Sequence, residues 1–406
     1  MTESDERGPS DRPALFRLTG LSADEFEREH WGERPLLRRS PSGFDDLFSA
    51  DAVDELVAER ALRTPFVRMA AEGTVLPPAK FTSSGGFGAE VGDQLDSAKV
   101  LEQFAGGATL VLQGLHRTWA PIAAFTRRLI DDLGHPAQVN AYITPASSRG
   151  FDPHYDTHDV FVIQIAGAKH WRIHEPVHRH PLADQPWTDH RDSVAARARE
   201  EPTIDATFET GDVLYLPRGW IHSAEALGGT SIHLTIGVRA ATRQDILTQL
   251  LARGGDDERL RRPLPLGAGE GRRLDADIAA TIAAASELMD AARDDHTIEH
   301  ALHDAFSRAV RPPPVRPLAT VQLTSEIAPD MTFRWRSGLR ARIEDDGPRV
   351  RIVLEDKAVS LPVEASEAVH ALRSGTLAAG ALPGLDADSA LVVVRRLLRE
   401  GIVVPG

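Results

Sequence analysis

The sequence predicts an α+β protein in which a β-barrel is followed by a helical region and then by a smaller domain of helices and strands. Closely spaced apolar strands fill residues 139–237, apolar residues recur at helical spacing over 274–306, and strand patterns alternate with two helical patterns in 316–406. With 406 residues the chain is too long for one ordinary core. We expect domains over 1–240, 241–315 and 316–406.

The first region begins with helical patterns. They lie near 22–31, 51–59 and 119–133. A glycine-rich loop at 83–88 has no phosphate-binding pattern, so we expect an ordinary turn there.

The strands that follow predict a hairpin with polar groups at its mouth. An almost wholly apolar run at 160–165 precedes an Ala-Gly-Ala turn at 166–168 and a second strand at 169–173. Just before the run stand His154 and Asp156, which share a face because successive strand residues alternate sides. Such a hairpin is typical of a barrel rim.

These two residues and a later histidine form a candidate metal site. His222 follows a Gly-Asp turn, a short apolar strand and a Pro-Arg-Gly turn. Two imidazoles and one carboxylate leave one face of an octahedron open, as in non-haem Fe(II) oxygenases, whereas zinc favours a tetrahedral site. An isolated His-x-Asp is usually a surface pair. Here the context favours iron, with His154, Asp156 and His222 as ligands.

Lys169 is a second unusual residue. The chain has 42 arginines and four lysines, so a lysine is unexpected where any cation would serve. A compact ammonium suits a single carboxylate, and Lys169 shares a strand face with Trp171 and Ile173. If that face is inward, Lys169 binds the far carboxylate of 2-oxoglutarate. The alternative is a surface lysine whose stem covers apolar surface.

Further polar residues lie on the predicted strands. Asn140 and Tyr142 share one face, and His233 and Thr235 share another. Each pair either lines the barrel interior or forms satisfied polar groups of the core. We take His233 and Thr235 as lining residues. Tyr142, Asn140 and Thr235 are the candidates for cosubstrate binding beside Lys169.

A family resemblance is carried by five segments of the chain. They are 26–37, 140–145 (Asn-Ala-Tyr-Ile-Thr-Pro), 150–156 (Gly-Phe-Asp-Pro-His-Tyr-Asp), 161–172 and 211–225. With these motifs the chain resembles the JmjC-type cupins of the ribosomal oxygenase family, and the resemblance covers most of its length.

The resemblance implies a double-stranded β-helix barrel, a helical dimerisation region and a winged-helix-like C-terminal domain. It implies a dioxygenase that uses Fe(II), 2-oxoglutarate and O₂ to hydroxylate a histidine or arginine of a ribosomal protein. By the same resemblance His154, Asp156 and His222 bind iron. Lys169 binds the cosubstrate, with Asn140 and Tyr142 beside it. Lysine at this position favours the histidyl-hydroxylase branch.

Composition narrows the setting and the partners. Without cysteine the chain has no disulfides or thiolate metal sites. Residues 1–7 do not have the pattern of a secretory signal and no apolar run approaches a membrane span, so we expect a soluble cytoplasmic protein with no membrane partner. The net charge of −14 suits a basic partner such as a ribosomal protein.

An amphipathic helix is predicted in the middle region. Its apolar positions are Leu274, Ile278, Ile282, Ala285 and Met289. Such a helix packs on its own barrel or pairs with a second copy, and the resemblance favours a homodimer.

The last region resembles a winged helix. It has helical patterns at 366–373 and 386–400, with strands at 349–354 and 402–404. Arginines on the second helix suggest DNA binding: Arg395, Arg396 and Arg399. However, 316–406 has 12 basic and 12 acidic residues, which argues against nucleic-acid contact and favours a structural or protein-interaction role.

Three rival functions are weighed against this prediction. A tailoring oxygenase for a peptide or small metabolite would keep every site residue. A non-enzymatic regulator using the winged helix would have lost a ligand, whereas all three are present, and a cupin isomerase would not need Lys169. Candidate substrate contacts near the predicted mouth are His158, Arg149, Arg218 and Trp220.

Overall fold

The computed structural model describes residues 12–39, 43–71, 73–88, 90–146, 152–292 and 297–406. The chain forms two compact units, Met1–Ala241 and Thr242–Gly406. The division into three domains stays a prediction.

The first unit contains short helices and an extended antiparallel sheet. In the described residues its helices are α1 Pro13–Thr19, α2 Ala23–Glu29, α3 Ala50–Ala58, α4 Ser97–Ala105, α5 Leu115–Thr118, α6 Ala120–Leu133 and α7 Arg191–Arg197. Its strands are β1 Leu36–Arg38, β2 Val67–Ala71, β3 Thr74–Val75, β4 Thr82–Ser83, β5 Gln94–Leu95, β6 Thr109–Leu112, β7 Ala137–Thr144, β8 Asp159–His174, β9 Ile204–Phe208, β10 Val213–Leu216 and β11 Ile221–Val238.

The three helices predicted in this unit are confirmed as α2, α3 and α6. Their ends follow from local capping. The hydroxyls of Ser22 and Ser49 accept hydrogen bonds from the first turns of α2 and α3. Gly134 ends α6 in the left-handed conformation, at φ 66°.

The main sheet runs in the order β1-β10-β8-β11-β7-β6-β2-β3, with β9 paired to β8. Every pairing in it is antiparallel. One apolar cluster extends across β6, β7, β8 and β11 and includes the rings of Phe26, Phe161 and Tyr215. Tyr215 lies 4.8 Å from Phe26 and 5.0 Å from Phe161 between ring centroids.

The prediction of a hairpin turn at 166–168 is wrong. β8 continues through this segment, and both its halves pair with β11. The first half also pairs with β10 and the second with β9. Gly167 bends the strand, at φ 66°. A Cβ at Gly167 would lie 2.2 Å from the carbonyl oxygen of Thr230, so the close approach of two backbones requires glycine.

The second unit combines helices with two three-stranded sheets. In the described residues its helices are α8 Arg243–Ala252, α9 Glu258–Arg261, α10 Asp275–Ala291, α11 Thr297–Ala309, α12 Pro317–Glu326, α13 Ser366–Ser374 and α14 Ala387–Arg399. Its strands are β12 Thr332–Trp335, β13 Arg342–Asp346, β14 Arg349–Val353, β15 Ala358–Pro362, β16 Leu377–Ala378 and β17 Val403–Pro405. The sheets run β16-β12-β17 and β13-β14-β15.

The elements predicted near the C-terminus are confirmed as α13, α14, β14 and β17. The helix predicted over 274–289 is confirmed as α10. However, two of its predicted apolar positions, Ile278 and Ile282, are 55% and 61% exposed, whereas Ala284 is buried. No helix in the described part of the chain is long and apolar enough to cross a membrane.

Candidate metal centre and cosubstrate pocket

Three potential metal ligands converge at one end of β8 and β11. One donor atom from each of His154, Asp156 and His222 lies within 4.8 Å of the other two. Asp156 Oδ2 is 3.8 Å from His222 Nε2, and the two imidazole centroids are 4.4 Å apart. Donors at these separations can share one ion.

The backbone fixes the two segments that carry these donors. His154 and His222 exchange hydrogen bonds in an isolated bridge: His154 N donates to His222 O at 3.2 Å, and His222 N donates to His154 O at 2.8 Å. Gly219 N donates to Asp156 O at 3.0 Å. His154 and Asp156 therefore lie just before β8 and are held by pairing with the residues around His222.

Both imidazoles are oriented for metal binding. Nδ1 of His154 is 2.7 Å from Asp152 O, and Nδ1 of His222 is 3.1 Å from Trp220 O. A backbone carbonyl can only accept, so each Nδ1 carries the proton and each Nε2 keeps its lone pair. Burial, with a further contribution from His154, lowers the pKa of His222 to about 4. His222 is therefore neutral at pH 7, as a ligand must be.

A small apolar cluster packs against the segments that carry the donors. Tyr155, between two of the donors, is 2% exposed and packs with Val194 of α7 and with Ile221, the residue before His222. Its hydroxyl donates to Gln185 O at 3.1 Å. The segment between β8 and β9 therefore packs beneath both donor-bearing segments.

A cavity adjoins the three donors. Besides His154, Asp156 and His222, its polar lining comes from the strands β6, β7, β8 and β11. The side chains are Thr109, Tyr142, Thr144, Lys169, Ser223, His233 and Thr235.

Lys169 points into this cavity. It is 3% exposed, so the alternative of a surface lysine is wrong. Its Nζ lies 3.0 Å from Thr144 Oγ1 and 3.4 Å from His233 Nδ1. Burial lowers its pKa to about 7. Among the ion pairs of the described residues none includes Lys169.

Comparison with known proteins relates part of the chain to a known family. The family model of the JmjC domain matches residues 118–246, which include the three donors and Lys169. Residues 118–246 form a JmjC domain. The predicted resemblance to the JmjC cupins of the ribosomal oxygenase family is confirmed by the relatives that follow.

Two curated relatives are ribosomal oxygenases. Ribosomal oxygenase 1 of Gallus gallus is 31% identical over 227 residues, which are 55% of this chain and 36% of the relative. Ribosomal oxygenase 2 of Mus musculus is 46% identical over 99 residues, 24% of this chain and 20% of the relative. The chain thus spans about a third or less of the length of these relatives.

Solved structures confirm the cupin fold of the JmjC domain. The X-ray structure of Escherichia coli YcfD matches with a TM-score of 0.53 and 19% identity, covering 95% of this chain and 98% of that one. The structure of YcfD, a ribosomal oxygenase from Escherichia coli, in complex with cobalt and succinic acid matches with a TM-score of 0.52 and 20% identity, at the same coverage. At this identity the likeness concerns the fold.

Tyr142 lies near Arg68 and Thr144, two residues that the sequence pattern did not single out. Its ring stacks on His233, with centroids 5.0 Å apart and an interplanar angle of 2°. Its hydroxyl accepts a hydrogen bond from Arg68 of β2. Thr144, two residues along the same strand face, bonds to Lys169. The two-residue spacing of Thr144 from Tyr142 on one strand could have identified Thr144 from the sequence. No such spacing relates Arg68 to this site, because β2 lies far away in sequence.

The other predicted site residues differ in whether they reach the cavity. Thr235 lines the cavity, but Asn140 does not, and its Oδ1 accepts a hydrogen bond from Gly114 N at 3.0 Å. The role of Asn140 in cosubstrate binding stays a prediction. His158 packs against the backbone of β11, since a Cβ at Gly237 would lie 2.5 Å from its ring.

Two of the candidate substrate contacts have partners within the fold. Arg218 pairs with the fully buried Asp159, whose carboxylate also accepts from Arg218 N at 3.0 Å. Trp220 is 7% exposed, and its indole donates to Glu33 O at 3.2 Å. Neither lines the cavity. Arg149 lies outside the described residues.

Proposed function

We propose that this chain is an Fe(II)- and 2-oxoglutarate-dependent hydroxylase that acts on a histidine or arginine of a ribosomal protein. One observation carries the proposal. A cluster of two imidazoles and one carboxylate adjoins a cavity that also contains a buried lysine with no acidic partner in the described structure.

The donor set fits iron. His154, Asp156 and His222 would bind it through Nε2, a carboxylate oxygen and Nε2, which leaves open the positions that a cosubstrate and O₂ require. When bound, iron activates O₂ for insertion of one oxygen atom into a C–H bond while 2-oxoglutarate is converted to succinate and CO₂. The structure of Escherichia coli YcfD in complex with cobalt and succinic acid supports the binding of a divalent metal by this fold.

The cavity fits a dicarboxylate. Lys169 would bind the far carboxylate through a charge-assisted hydrogen bond, and Tyr142 and Thr235 would donate neutral ones. The surrounding side chains Val160, Val162 and Trp171 exclude water, which strengthens these interactions.

The charge distribution supports a basic protein substrate. Residues 1–241 contain 35 acidic and 24 basic residues, against 25 and 22 in residues 242–406. Most of the negative charge therefore lies in the unit that holds the cavity, where it would attract a cationic ribosomal protein. The names of the curated relatives support the same substrate class, and the cavity lysine favours histidine as the target.

We also propose that residues 241–315 form a homodimer interface. This proposal is supported by a group of exposed large apolar side chains, because stable monomers rarely expose such groups to solvent. They are Ile246, Leu251, Leu264, Leu266, Ile278 and Ile282. The double variant Ile278→Glu, Ile282→Glu should be monomeric in analytical ultracentrifugation. An unchanged dimer, or a monomeric native protein, would contradict this assignment.

For residues 316–406 we propose a winged-helix-like module with a structural or protein-interaction role. Two of the three arginines of α14 have partners within the unit: Arg395 Nε donates to Thr324 O at 3.1 Å, and Arg396 pairs with Glu400 at 3.0 Å. This arrangement supports a role other than phosphate contact.

The decisive test uses ribosomal proteins from a strain lacking this gene. They are incubated with the purified protein, Fe(II), 2-oxoglutarate and O₂, with His154→Ala as the matched control, and analysed by intact mass spectrometry. Gain of one oxygen atom on a single ribosomal protein, absent in the control, is the expected result. Succinate formation that rises only with a small-molecule extract would instead establish a tailoring oxygenase.

A further inference from the structure

Thr144 is the nearest hydrogen-bonding partner of the cavity lysine. It is fully buried on β7, and its Oγ1 lies 3.0 Å from Lys169 Nζ. A second hydroxyl, that of Thr109 on β6, lies 3.4 Å from the same oxygen. Lys169 is thus tied to strands that are distant from it in sequence.

The hydrogen-bonding capacity of the ammonium shows what this arrangement leaves for a ligand. An ammonium has three N–H donors. Thr144 Oγ1 and His233 Nδ1 accept two of them. The hydroxyl of Thr144 carries no charge. His233 is also neutral, because burial, followed by the charge of Lys169, lowers the pKa of His233 well below its usual value. Among the described residues no further acceptor is found for the third N–H, so this N–H and the positive charge are available to an anion.

Threonine is well suited to hold this group. Its branched Cβ restricts χ1, so a buried Thr144 presents its oxygen in a fixed direction, whereas free lysine has four rotatable bonds to order. A bond from the ammonium to a hydroxyl oxygen also favours the charged over the neutral amine, which burial opposes.

We propose that Thr144 is a positioning residue for the cosubstrate, which holds the Lys169 ammonium in place and in its charged form and so sets the affinity for 2-oxoglutarate. The inference rests on the proposed function and deepens it. Thr144 acts through Lys169, and the metal site does not depend on it.

The test compares Thr144→Val, which removes the hydroxyl at nearly constant shape, with Thr144→Ser, which keeps it. Thr126→Val is the matched control, since Thr126 is buried in the same unit but bonds to its own helix at Ile122 O. Binding of 2-oxoglutarate is measured by calorimetry with Fe(II) in the absence of O₂, and Fe(II) binding is measured separately. Steady-state kinetics then give KM and kcat.

Loss of one hydrogen bond to a charged group predicts that Thr144→Val raises Kd and KM for 2-oxoglutarate by about 10-fold. Fe(II) affinity and kcat at saturating cosubstrate should stay within about twofold of the native values, as for any loss confined to cosubstrate binding. The pH above which affinity falls should also move downwards. Thr144→Ser should restore native affinity.

Native 2-oxoglutarate affinity in Thr144→Val, or failure of Thr144→Ser to restore it, would overturn the inference. If Thr144→Val does not fold, Thr144→Ala and Thr144→Ser provide the same comparison. Lys169→Met distinguishes a failure of the role of Thr144 from a failure of the proposed cosubstrate site. If Lys169→Met weakens binding and Thr144→Val does not, the inference about Thr144 alone fails. If Lys169→Met binds 2-oxoglutarate normally, the proposed cosubstrate site itself is wrong.

Discussion

The two units of the chain differ in what they bury. All 14 buried polar or charged side chains found among the described residues lie in the unit of residues 1–241. The core of the second unit is built from aliphatic side chains and Phe333. Because a buried polar group lowers stability unless it is paired, each of these side chains needs a partner, either within the fold or in a ligand. The difference locates the chemistry.

The buried polar groups of the first unit are themselves of two kinds. Asp132 accepts hydrogen bonds from Ala14 N at 2.7 Å and Leu15 N at 2.9 Å, so it ties α1 to α6. Lys169, in contrast, has two neutral partners and no counter-ion among the described residues. A structural group has its partners within the fold, whereas a functional group retains capacity for a ligand.

The largest expected difference between the units comes from a matched pair of aspartate substitutions. Asp156→Ala should reduce turnover to background and abolish stoichiometric Fe(II) binding, because it removes one of three donors. Asp386→Ala removes the N-cap of α14, whose carboxylate accepts from Ser389 N at 2.9 Å. It should reduce the free energy of unfolding by about 1 kcal/mol and leave turnover unchanged. Iron binding and denaturation curves measure both; residual iron-dependent turnover in Asp156→Ala would contradict the ligand assignment.

A second pair of variants compares two lysines. Lys169→Met should raise Kd for 2-oxoglutarate by about 10- to 100-fold, since a hydrogen bond to a charged group is lost. The same variant should unfold at a higher temperature without cosubstrate, because an incompletely paired buried cation has been removed. Lys357→Met, at a half-exposed ion pair with Glu400 in the second unit, should change neither quantity appreciably. Lower stability of Lys169→Met would show that the lysine is a structural group.

The pH dependence of cosubstrate affinity should follow Lys169. Burial lowers its pKa to about 7 in the free protein, and a bound carboxylate would raise it. Below pH 7 the ammonium is already present, whereas above pH 7 binding must take up a proton. Affinity for 2-oxoglutarate should therefore fall about fivefold between pH 7 and 8. Calorimetry in buffers of different ionisation enthalpy should detect this proton uptake, and equal affinity at both pH values would contradict it.

The smallest predicted effect concerns the cluster beneath the donors. Tyr155→Phe removes the hydrogen bond to Gln185 O and should reduce the free energy of unfolding by about 1 kcal/mol. Fe(II) affinity should fall only a few-fold, because the ring still packs against Val194 and Ile221. Lower stability of Tyr155→Phe with no change in Fe(II) affinity would show that the cluster does not contribute to metal binding.

Residue chemistry explains how much of the site could be predicted. Histidine, aspartate and a rare lysine carry distinctive chemistry, so their convergence on one cavity could be expected from the chain alone. Residue type alone did not identify Thr144, because threonine is common in strands for reasons of shape, and only its spacing from Tyr142 on the same strand face pointed to it. Closeness to His222 in sequence made Arg218 and Trp220 candidates, but it does not give the direction of a side chain, and neither lines the cavity.

The fold was predictable where local signals decide it. The capped helices α2 and α3 and the strongly amphipathic α14 follow from residue patterns. The Ala-Gly-Ala segment did not, because a glycine between two apolar strands predicts a reversal as well as it predicts a bend. Only the pairing of both halves of β8 with β11 distinguishes them, and that pairing is set by distant residues.

The bend shared by β8 and β11 also has an open side. Opposite the closed contact at Gly167, the register of β11 shifts after Leu227, and Gly228 and Gly229 are exposed, with no atom within 4 Å of a Cβ built on either. The two sides of one bend thus differ in their tolerance of added atoms. Gly228 has a left-handed backbone, at φ 72°, whereas Gly229 does not, so a fluorophore attached at position 229 would extend into solvent from the same bent ladder that carries Lys169. Cosubstrate binding would then become observable from outside the barrel without altering its interior.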